Sequence, residues 1–300
     1  MKERISLGIV GFGEVGSALT KGLQQEGFGP VDVFDPVLLK DGNPDAAIKE
    51  RIENTDIRIC SNLRELTENS EVIFSANSAS AAVKVAEGLS GLLEGKHLFV
   101  ELNSTSPAVK REAAEALSSS ACQQVDAAIM GAILMSGHRT PIVASGDGRH
   151  LFKRLFEPYG MLIDADSVER IGDASALKMF RSIYAKGIEA LIIETLVASH
   201  RQGIGDQVFT LICDWMDAQE SFFSLAQALV RTHAVHAGRR ATEMDNVCRT
   251  VNEVKLDPVM SQATGELLRR SCESGVREHF DGKMPDDYMA VIEYLAHDLR

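Results

Sequence analysis

The stretch ISLGIVGFGEVGSAL, from Ile5 to Leu19, constrains this chain more than any other part of it. An apolar run leads into a glycine-rich turn, and a helical pattern follows, so the stretch predicts strand, turn and helix. In the G-x-G-x-x-G spacing, the first glycine permits a tight turn, the second lets a pyrophosphate approach the backbone, and the third lets the helix pack on the strand. The helix N-terminus adds unpaired N–H groups and a partial positive charge. The predicted dinucleotide site comprises Gly11, Phe12, Gly13, Glu14, Val15 and Gly16.

An acidic residue ends the next predicted strand. Asp35 follows Val31–Phe34 and lies 22 residues past Gly13. A carboxylate there accepts hydrogen bonds from an adenosine ribose and repels a 2′-phosphate, which favours NAD over NADP. The alternative is that Asp35 only starts a turn before Pro36. Asn77, which follows the apolar run Val72–Ser75, is assigned to the same cofactor site.

Strand and helix patterns alternate as far as Asp164, which predicts an α/β fold with a doubly wound, Rossmann-like parallel sheet. Three strand-like runs, Gln123–Asp126, Pro141–Ser145 and Met161–Asp164, extend this sheet beyond six strands. From Gly172 onward the pattern is helical. We therefore expect a dinucleotide-binding domain over residues 1–171 and an all-α domain over residues 172–300.

The predicted all-α domain begins with a helix of about 29 residues, from Ala174 to about Gln202, which would span roughly 43 Å. This helix is apolar on too many sides to lie on a surface, so we expect it to be buried between domains or subunits, and the protein to form a homodimer. Four further helices are predicted near Asp206–Met216, Gln219–Arg231, Ala237–Leu256 and Pro258–Ser274, with a short terminal helix at Asp287–His297.

Composition limits the partners. The net charge of −12 argues against nucleic acid and against an anionic membrane surface. Five dispersed cysteines without a C-x-x-C pair indicate reduced thiols. No apolar run approaches the roughly 20 residues that span a bilayer, and the first residues run directly into the first strand without room for a signal peptide. We expect a cytoplasmic protein.

Two polar stretches are candidates for chemistry. The first, ELNSTSP from Glu101 to Pro107, follows a strand at the sheet edge where ligands bind, and Asn103 and Ser104 offer short polar groups to a hydroxyl or carboxylate. The alternative is a helix-capping cluster before a proline. The second is IGDASALKMFRS, in which Lys178 shares a helix face with Arg181 and Ser182. A lysine with partly apolar surroundings can serve as a general base, although an isolated helical lysine is more often solvated.

Two further stretches give weaker signals. The run DAAIMGA, which contains Met130 and Gly131, is on physical grounds only a strand and a turn. His233, His236, Arg239, Arg240 and Glu243 form a polar cluster, but positive neighbours oppose a cation and no fourth ligand is apparent. We expect a solvated or anion-binding face there, and no metal.

Taken together, these stretches resemble the β-hydroxyacid dehydrogenase superfamily, which includes 6-phosphogluconate dehydrogenases. GFGEVG, ELNSTSP, DAAIMGA and IGDASALK occur in the family's order over about residues 4 to 200. Beyond residue 200 the chain resembles a group of phosphogluconate-dehydrogenase-like NAD-binding proteins that have their own, poorly assigned helical domain. The resemblance implies that Lys178 is the catalytic acid/base, that Asn103 contacts substrate or cofactor, and that Gly131 belongs to the substrate loop.

The chain departs from the family pattern at the substrate. Met130 replaces the loop serine, Ala132 replaces the second glycine, and Arg181-Ser182 replaces an Asn-Asn pair beyond the lysine. Arg181 could supply a carboxylate contact that the serine would otherwise make. We expect an NAD-dependent dehydrogenase acting on a small hydroxy acid or the matching keto compound, with Asn103, Ser104, Met130, Gly131, Arg181 and Ser182 around the substrate. The alternatives are an imine reductase of the same architecture and a non-catalytic dinucleotide-binding protein.

Overall fold

The computed structural model describes residues 5–39, 46–53 and 55–299, with the side chains of residues 46–48 excepted. The chain forms two compact units, one up to Ser182 and the other from Ile183 onward. The domain boundary expected between residues 171 and 172 stays a prediction. The predicted helix near Pro44 to Glu53 is described only as Ala46–Glu53, and its first residues lie outside the described ranges.

The first unit is built on one eight-stranded sheet with the strand order β3-β2-β1-β4-β5-β6-β7-β8. The first six strands have the order of a doubly wound dinucleotide-binding sheet. The predicted fold class, including the extension beyond six strands, is confirmed. The strands are β1 Leu7–Val10, β2 Val31–Phe34, β3 Ile57–Ile59, β4 Val72–Ser75, β5 Leu98–Glu101, β6 Gln123–Ile129, β7 Ile142–Ser145 and β8 Ile163–Asp164.

Helices connect these strands, and the central strands are buried on both sides. The buried core contains large apolar side chains such as Phe74, Phe152 and Phe156, which are almost fully enclosed and contact one another through their rings. The helices of this unit are α1 Glu14–Gln25, α2 Ala46–Glu53, α3 Leu63–Asn69, α4 Ala82–Leu89, α5 Pro107–Ala116, α6 Ile133–Ser136 and α7 Arg149–Phe156.

One strand pair departs from the expected parallel sheet. β6 and β7 are antiparallel, whereas the other neighbouring pairs are parallel. The segment between them holds only the four-residue helix α6 and a 3-10 turn, Gly137–Arg139. A parallel neighbour requires a crossover that carries the chain back along the sheet, usually as a full helix. The four-residue α6 is too short for this, so the return leads into an antiparallel neighbour. β6 also runs three residues beyond its predicted end at Asp126.

The long helix α8, Asp173–Arg201, begins one residue before its predicted start and runs out of the first unit into the second. Helices are the regular secondary structure of the second unit in its described residues. Its helices are α9 Gly205–Asp217, α10 Phe222–Glu253, α11 Val259–Glu273, α12 Val276–His279 and α13 Tyr288–Asp298.

The prediction of two helices at Gln219–Arg231 and Ala237–Leu256 is wrong, because α10 is a single helix of 32 residues. No proline or glycine separates the two predicted helices, so nothing in the local sequence stops the first. Ala234 and Ala237, at the supposed break, are buried, and α10 packs along α11 and α13. Hydrogen bonds connect α8 to the start of α11. The Glu194 carboxylate accepts them from Met260 N at 2.7 Å and from Ser261 N at 2.9 Å.

Candidate functional site

The glycine turn holds two glycines that packing requires. Gly11 has a φ of +97°, and a Cβ there would lie 2.5 Å from the Ala76 carbonyl oxygen. A Cβ on Gly16 would lie 2.3 Å from the Gly11 carbonyl oxygen. Contacts this short cannot be accommodated without moving the backbone. Gly11 and Gly16 therefore allow the turn to close against β4 and against α1.

Gly13 differs from both, because a Cβ there would meet no described heavy atom within 4 Å. Its backbone is extended, with φ −75° and ψ −155°, so other residues could adopt it. Gly13 is the N-cap of α1 but has no side chain to cap the helix, which leaves first-turn N–H groups to an outside acceptor. The open space and the N–H groups fit the pyrophosphate of a dinucleotide.

Asp35 is fixed beside this turn. One carboxylate oxygen accepts a hydrogen bond from Phe12 N at 2.8 Å, and the other accepts one from Val37 N at 2.8 Å. Asp35 therefore does start a turn before Pro36, as the alternative interpretation of this residue expected. The same hydrogen bonds hold its carboxylate against the glycine loop. Each oxygen keeps a second lone pair, so the group can still accept from a ribose hydroxyl.

The ELNSTSP stretch divides between capping and the candidate site. Ser106 is the N-cap of α5 and accepts from Val109 N at 3.4 Å, with Pro107 as the first helical residue. Asn103 points elsewhere: its amide nitrogen donates to Asn77 Oδ1 at 3.2 Å and contacts Glu101 Oε1. Asn103 is buried, whereas Ser104 is exposed. The structure thus brings Asn77 and Asn103 together at the carboxyl ends of β4 and β5.

The start of α8 lies against the loop after β6. The Arg181 guanidinium donates through Nη1 to the Met130 carbonyl oxygen at 3.1 Å. Lys178 is half-buried, and its carbonyl accepts a hydrogen bond from Ser182 Oγ at 2.8 Å. The contact between Arg181 and Met130 joins two stretches that were separate candidates in the sequence. Gly131, next to Met130, is exposed.

Four residues that the sequence analysis did not single out connect these stretches. Lys110 Nζ contacts a carboxylate oxygen of Glu101 and lies 3.0 Å from Asp126 Oδ1, and Asp126 in turn accepts from Ser175 Oγ at 2.8 Å. All four are buried. Burial raises the pKa of the Glu101 carboxyl, while the Lys110 ammonium opposes that rise. A detectable signal was present, because Glu101 directly follows the apolar run Leu98–Val100 and Asp126 lies between the apolar residues Val125 and Ala127.

Four other features concern a cavity, metal ligands, the histidine cluster and membrane spans. A cavity of about 670 Å³ follows the outer face of α1 towards His138 and Arg139, and of the cofactor residues only Glu14 is among those described around it. Among the described residues no group of three or more His, Cys, Asp or Glu could hold a metal ion. In the histidine cluster, burial lowers the pKa of His233, and Arg239 forms an ion pair with Glu243. No described helix is long and apolar enough to cross a membrane.

The strand order, the open space at Gly13 and the fixed Asp35 carboxylate define a dinucleotide-binding protein of the α/β class. Comparison with protein families gives the assignment: residues 6–163 match the NAD binding domain of 6-phosphogluconate dehydrogenase. The chain belongs to this family of dinucleotide-binding oxidoreductases, as the sequence resemblance implied. Residues 200–271 match a domain of unknown function, DUF1932, which agrees with the separate helical domain inferred from sequence.

Solved structures give similar full-length matches. A conserved protein of unknown function, described as structurally similar to 3-hydroxyacid dehydrogenases, is 29% identical, with 93% of this chain and 100% of that chain covered and a TM-score of 0.57. A reductive aminase from Aspergillus terreus, in complex with NADPH and ethyl-5-oxohexanoate, is 16% identical over 98% of this chain and 100% of its own, with a TM-score of 0.72. An imine reductase variant from Myxococcus stipitatus, in complex with NAD+, is 18% identical over the same shares, with a TM-score of 0.72. The last two matches show the fold.

Proposed function

We propose that this protein is an NAD-dependent oxidoreductase that interconverts a small hydroxy acid and its carbonyl form, with Lys178 as the acid/base. The observation that carries the proposal is the contact between Arg181 and the Met130 carbonyl, because it brings the Lys178 helix to the loop that follows β6. That loop shares the carboxyl edge of the sheet with the glycine turn, Asn77 and Asn103. Ligands bind at this edge in doubly wound sheets.

The cofactor residues would be Gly11 to Gly16, Asp35 and Asn77. The pyrophosphate would occupy the open space at Gly13, and Asp35 would accept from the adenosine ribose. NAD is favoured over NADP because a fixed carboxylate at this position repels a 2′-phosphate. Proteins of this fold have been solved with NADPH and with NAD+, so the fold does not determine the cofactor. We therefore attribute the preference for NAD to Asp35, and titration with both cofactors tests it.

The nicotinamide, when bound, accepts a hydride from the alcohol carbon in oxidation and returns it in reduction. Lys178 would take the hydroxyl proton as that carbon becomes a carbonyl, and would give the proton back in the reverse direction. Asn103, whose amide N–H groups face Asn77 and Glu101, would accept a hydrogen bond from the substrate hydroxyl through its side-chain carbonyl oxygen, with Ser104, Gly131 and Ser182 beside it.

Arg181 would bind the substrate carboxylate. Its bond to Met130 uses one of five N–H donors, and the four that are left are enough for two parallel hydrogen bonds to a carboxylate. This arrangement would compensate for the hydroxyl that Met130 cannot supply.

The deciding experiment is a screen of small hydroxy acids and keto acids with NAD(H) and NADP(H), followed at the nicotinamide absorbance band. We expect turnover with a hydroxy acid and a loss of at least about a hundredfold in Lys178→Ala, the usual scale for a general acid/base. Lys96→Ala, at an exposed lysine outside α8, is the control. Turnover by Lys178→Ala at the wild-type rate would remove Lys178 from the mechanism.

A second candidate is an imine reductase, supported by the likeness in fold to such enzymes. Cyclic imines therefore belong in the same screen. Turnover of imines without turnover of any hydroxy acid would favour this candidate, and NADH binding without any turnover would favour a non-catalytic protein.

We also propose a homodimer. In the single chain, α8 exposes large apolar side chains to solvent, with Phe180 69%, Ile183 72% and Ile193 60% exposed. The expectation that this helix is buried therefore requires another chain to cover it. Sedimentation of a monomer at micromolar concentration would contradict this.

A further inference from the structure

A row of polar side chains crosses the buried sheet of the first unit. Ser75, Glu101, Asp126 and Ser145 are register partners on β4, β5, β6 and β7. Register partners point to the same face of a sheet. All four are at most 3% exposed. Burying polar groups is unfavourable unless each finds a partner, so the partners of this row show what it holds.

One end of the row holds the two asparagines of the candidate site. Ser75 Oγ accepts from Asn77 Nδ2 at 2.9 Å and from Asn103 Nδ2 at 3.3 Å. Glu101 Oε1 accepts from the backbone N–H of Asn103 at 3.1 Å and also contacts its side-chain amide. The position and the orientation of Asn103 are therefore both set by the row.

The other end of the row holds the start of α8. Asp126 Oδ2 accepts from Gly172 N at 3.1 Å and from Ser175 N at 3.0 Å, and Ser145 Oγ accepts from Ala174 N at 3.3 Å. Three of the first N–H groups of the helix are satisfied in this way. Lys178 lies three residues after Ser175, on the same side of the helix one turn later.

Lys110, on α5, joins the two ends. Its ammonium donates to the Glu101 carbonyl at 2.8 Å, contacts Glu101 Oε2, and lies 3.0 Å from Asp126 Oδ1. One N–H of the ammonium is thus donated to the Glu101 carbonyl, and its positive charge lies beside one carboxylate oxygen of Glu101 and one of Asp126. Lys110 is 2% exposed, so no solvent competes for these bonds.

We infer that Lys110 is a positioning residue that holds the Asn103 loop and the Lys178 helix in one geometry, through Glu101 and Asp126. The inference rests on the proposed function, because the two held groups matter only if they act together. It makes the active geometry depend on a buried residue of α5 rather than on a residue at the edge of the sheet.

The test measures backbone amide exchange by mass spectrometry on the ligand-free protein, in peptides that cover residues 101–106 and 171–177. Glu101→Gln should raise exchange only in the first peptide, and Asp126→Asn only in the second. Lys110→Met, of similar length and without charge, should raise exchange in both by about tenfold or more. Lys96→Met, at an exposed lysine, is the control and should change neither.

Two double variants distinguish a positioning role of Lys110 from a role in charge balance alone. The double variants are Lys110→Met/Glu101→Gln and Lys110→Met/Asp126→Asn. Each restores the net charge that Lys110, Glu101 and Asp126 carry together, but neither restores the contacts of Lys110 that join the two ends of the row. If Lys110 positions both ends, exchange in both peptides stays raised in each double variant. If either double variant returns both peptides to wild-type exchange, Lys110 only balances charge and the inference is overturned.

NADH titration and turnover complete the test. In Lys110→Met we expect kcat to fall about tenfold or more while the Kd for NADH changes about threefold or less, since the glycine turn is untouched. Absence of turnover in the wild-type protein would refute the proposed function without altering the exchange result. Turnover in Lys110→Met equal to wild type would overturn the positioning role.

Discussion

Replacing Gly13 with alanine should weaken dinucleotide binding without harming the fold. The new Cβ meets no described heavy atom within 4 Å, and the extended backbone at this position suits alanine. Alanine caps a helix less well than glycine but reduces the entropy of the unfolded chain, and the two effects are of opposite sign. We expect the free energy of unfolding to change by less than about 1 kcal/mol, with the Tm within roughly 4 °C of wild type.

The binding cost has a different origin. The added methyl group fills the space in which a pyrophosphate would contact the helix N-terminus, so the ligand must move away from the N–H groups. A loss of about 1.4 to 3 kcal/mol corresponds to a Kd for NADH that rises roughly tenfold to more than a hundredfold.

Gly16→Ala is the matched control, because it adds the same methyl group one helical turn away. Its Cβ would lie 2.3 Å from the Gly11 carbonyl oxygen and 3.3 Å from Ile9 Cγ2, so β1 and α1 must separate. Overpacking of this kind costs about 1–3 kcal/mol or more, which lowers the Tm by roughly 4–12 °C.

The assay pairs a thermal melt with NADH titration by fluorescence, each at fixed salt and pH. Unchanged NADH affinity in a well-folded Gly13→Ala protein would refute the assignment of the open space to the pyrophosphate. A melting temperature in Gly16→Ala equal to wild type would refute the packing argument.

Further outcomes are expected at three residues. Asp35→Asn removes the charge that repels a 2′-phosphate, so the ratio of NADPH to NADH affinity should rise about tenfold, and titration with both cofactors checks this; an unchanged ratio would show that Asp35 serves only its turn. Arg181→Met should raise KM for hydroxy acids about tenfold or more but leave substrates without a carboxylate unaffected, and equal effects on both classes would contradict the carboxylate contact. Burial lowers the pKa of His138 below its ordinary 6.5, so the neutral form is favoured in the folded state and stability is lost as pH falls below 6.5, by at most about 1.4 kcal/mol per pH unit. His138→Gln should make melting temperature less sensitive to pH between about 6.5 and 5, and an identical pH dependence would exclude His138 as the cause.

The sequence predicted the features that depend on local spacing. The glycines of the first turn specify their backbone geometry within six residues, and the alternation of apolar runs with helical periods indicates a parallel sheet. The helix start at Asp173 could be placed within one residue because Gly172 stops the preceding segment. The motif order was sufficient for the family, which the match over residues 6–163 bears out.

Features that depend on distant segments were not available from the sequence. The antiparallel direction of β7 is such a feature, because it depends on the edge to which the chain returns. The continuity of α10 is not, because the absence of proline and glycine between the two predicted helices already indicated it.

The sequence by itself determined the order along the chain of the glycine turn, the acidic Asp35 and the helix that carries Lys178. Only the tertiary structure decided that Glu101 and Asp126 are register partners and that Lys110 reaches both. The physical reason is that β-sheet register and burial are set by non-local contacts. Burying a charge costs free energy unless a partner of opposite charge lies beside it, and that partner is here far away along the chain.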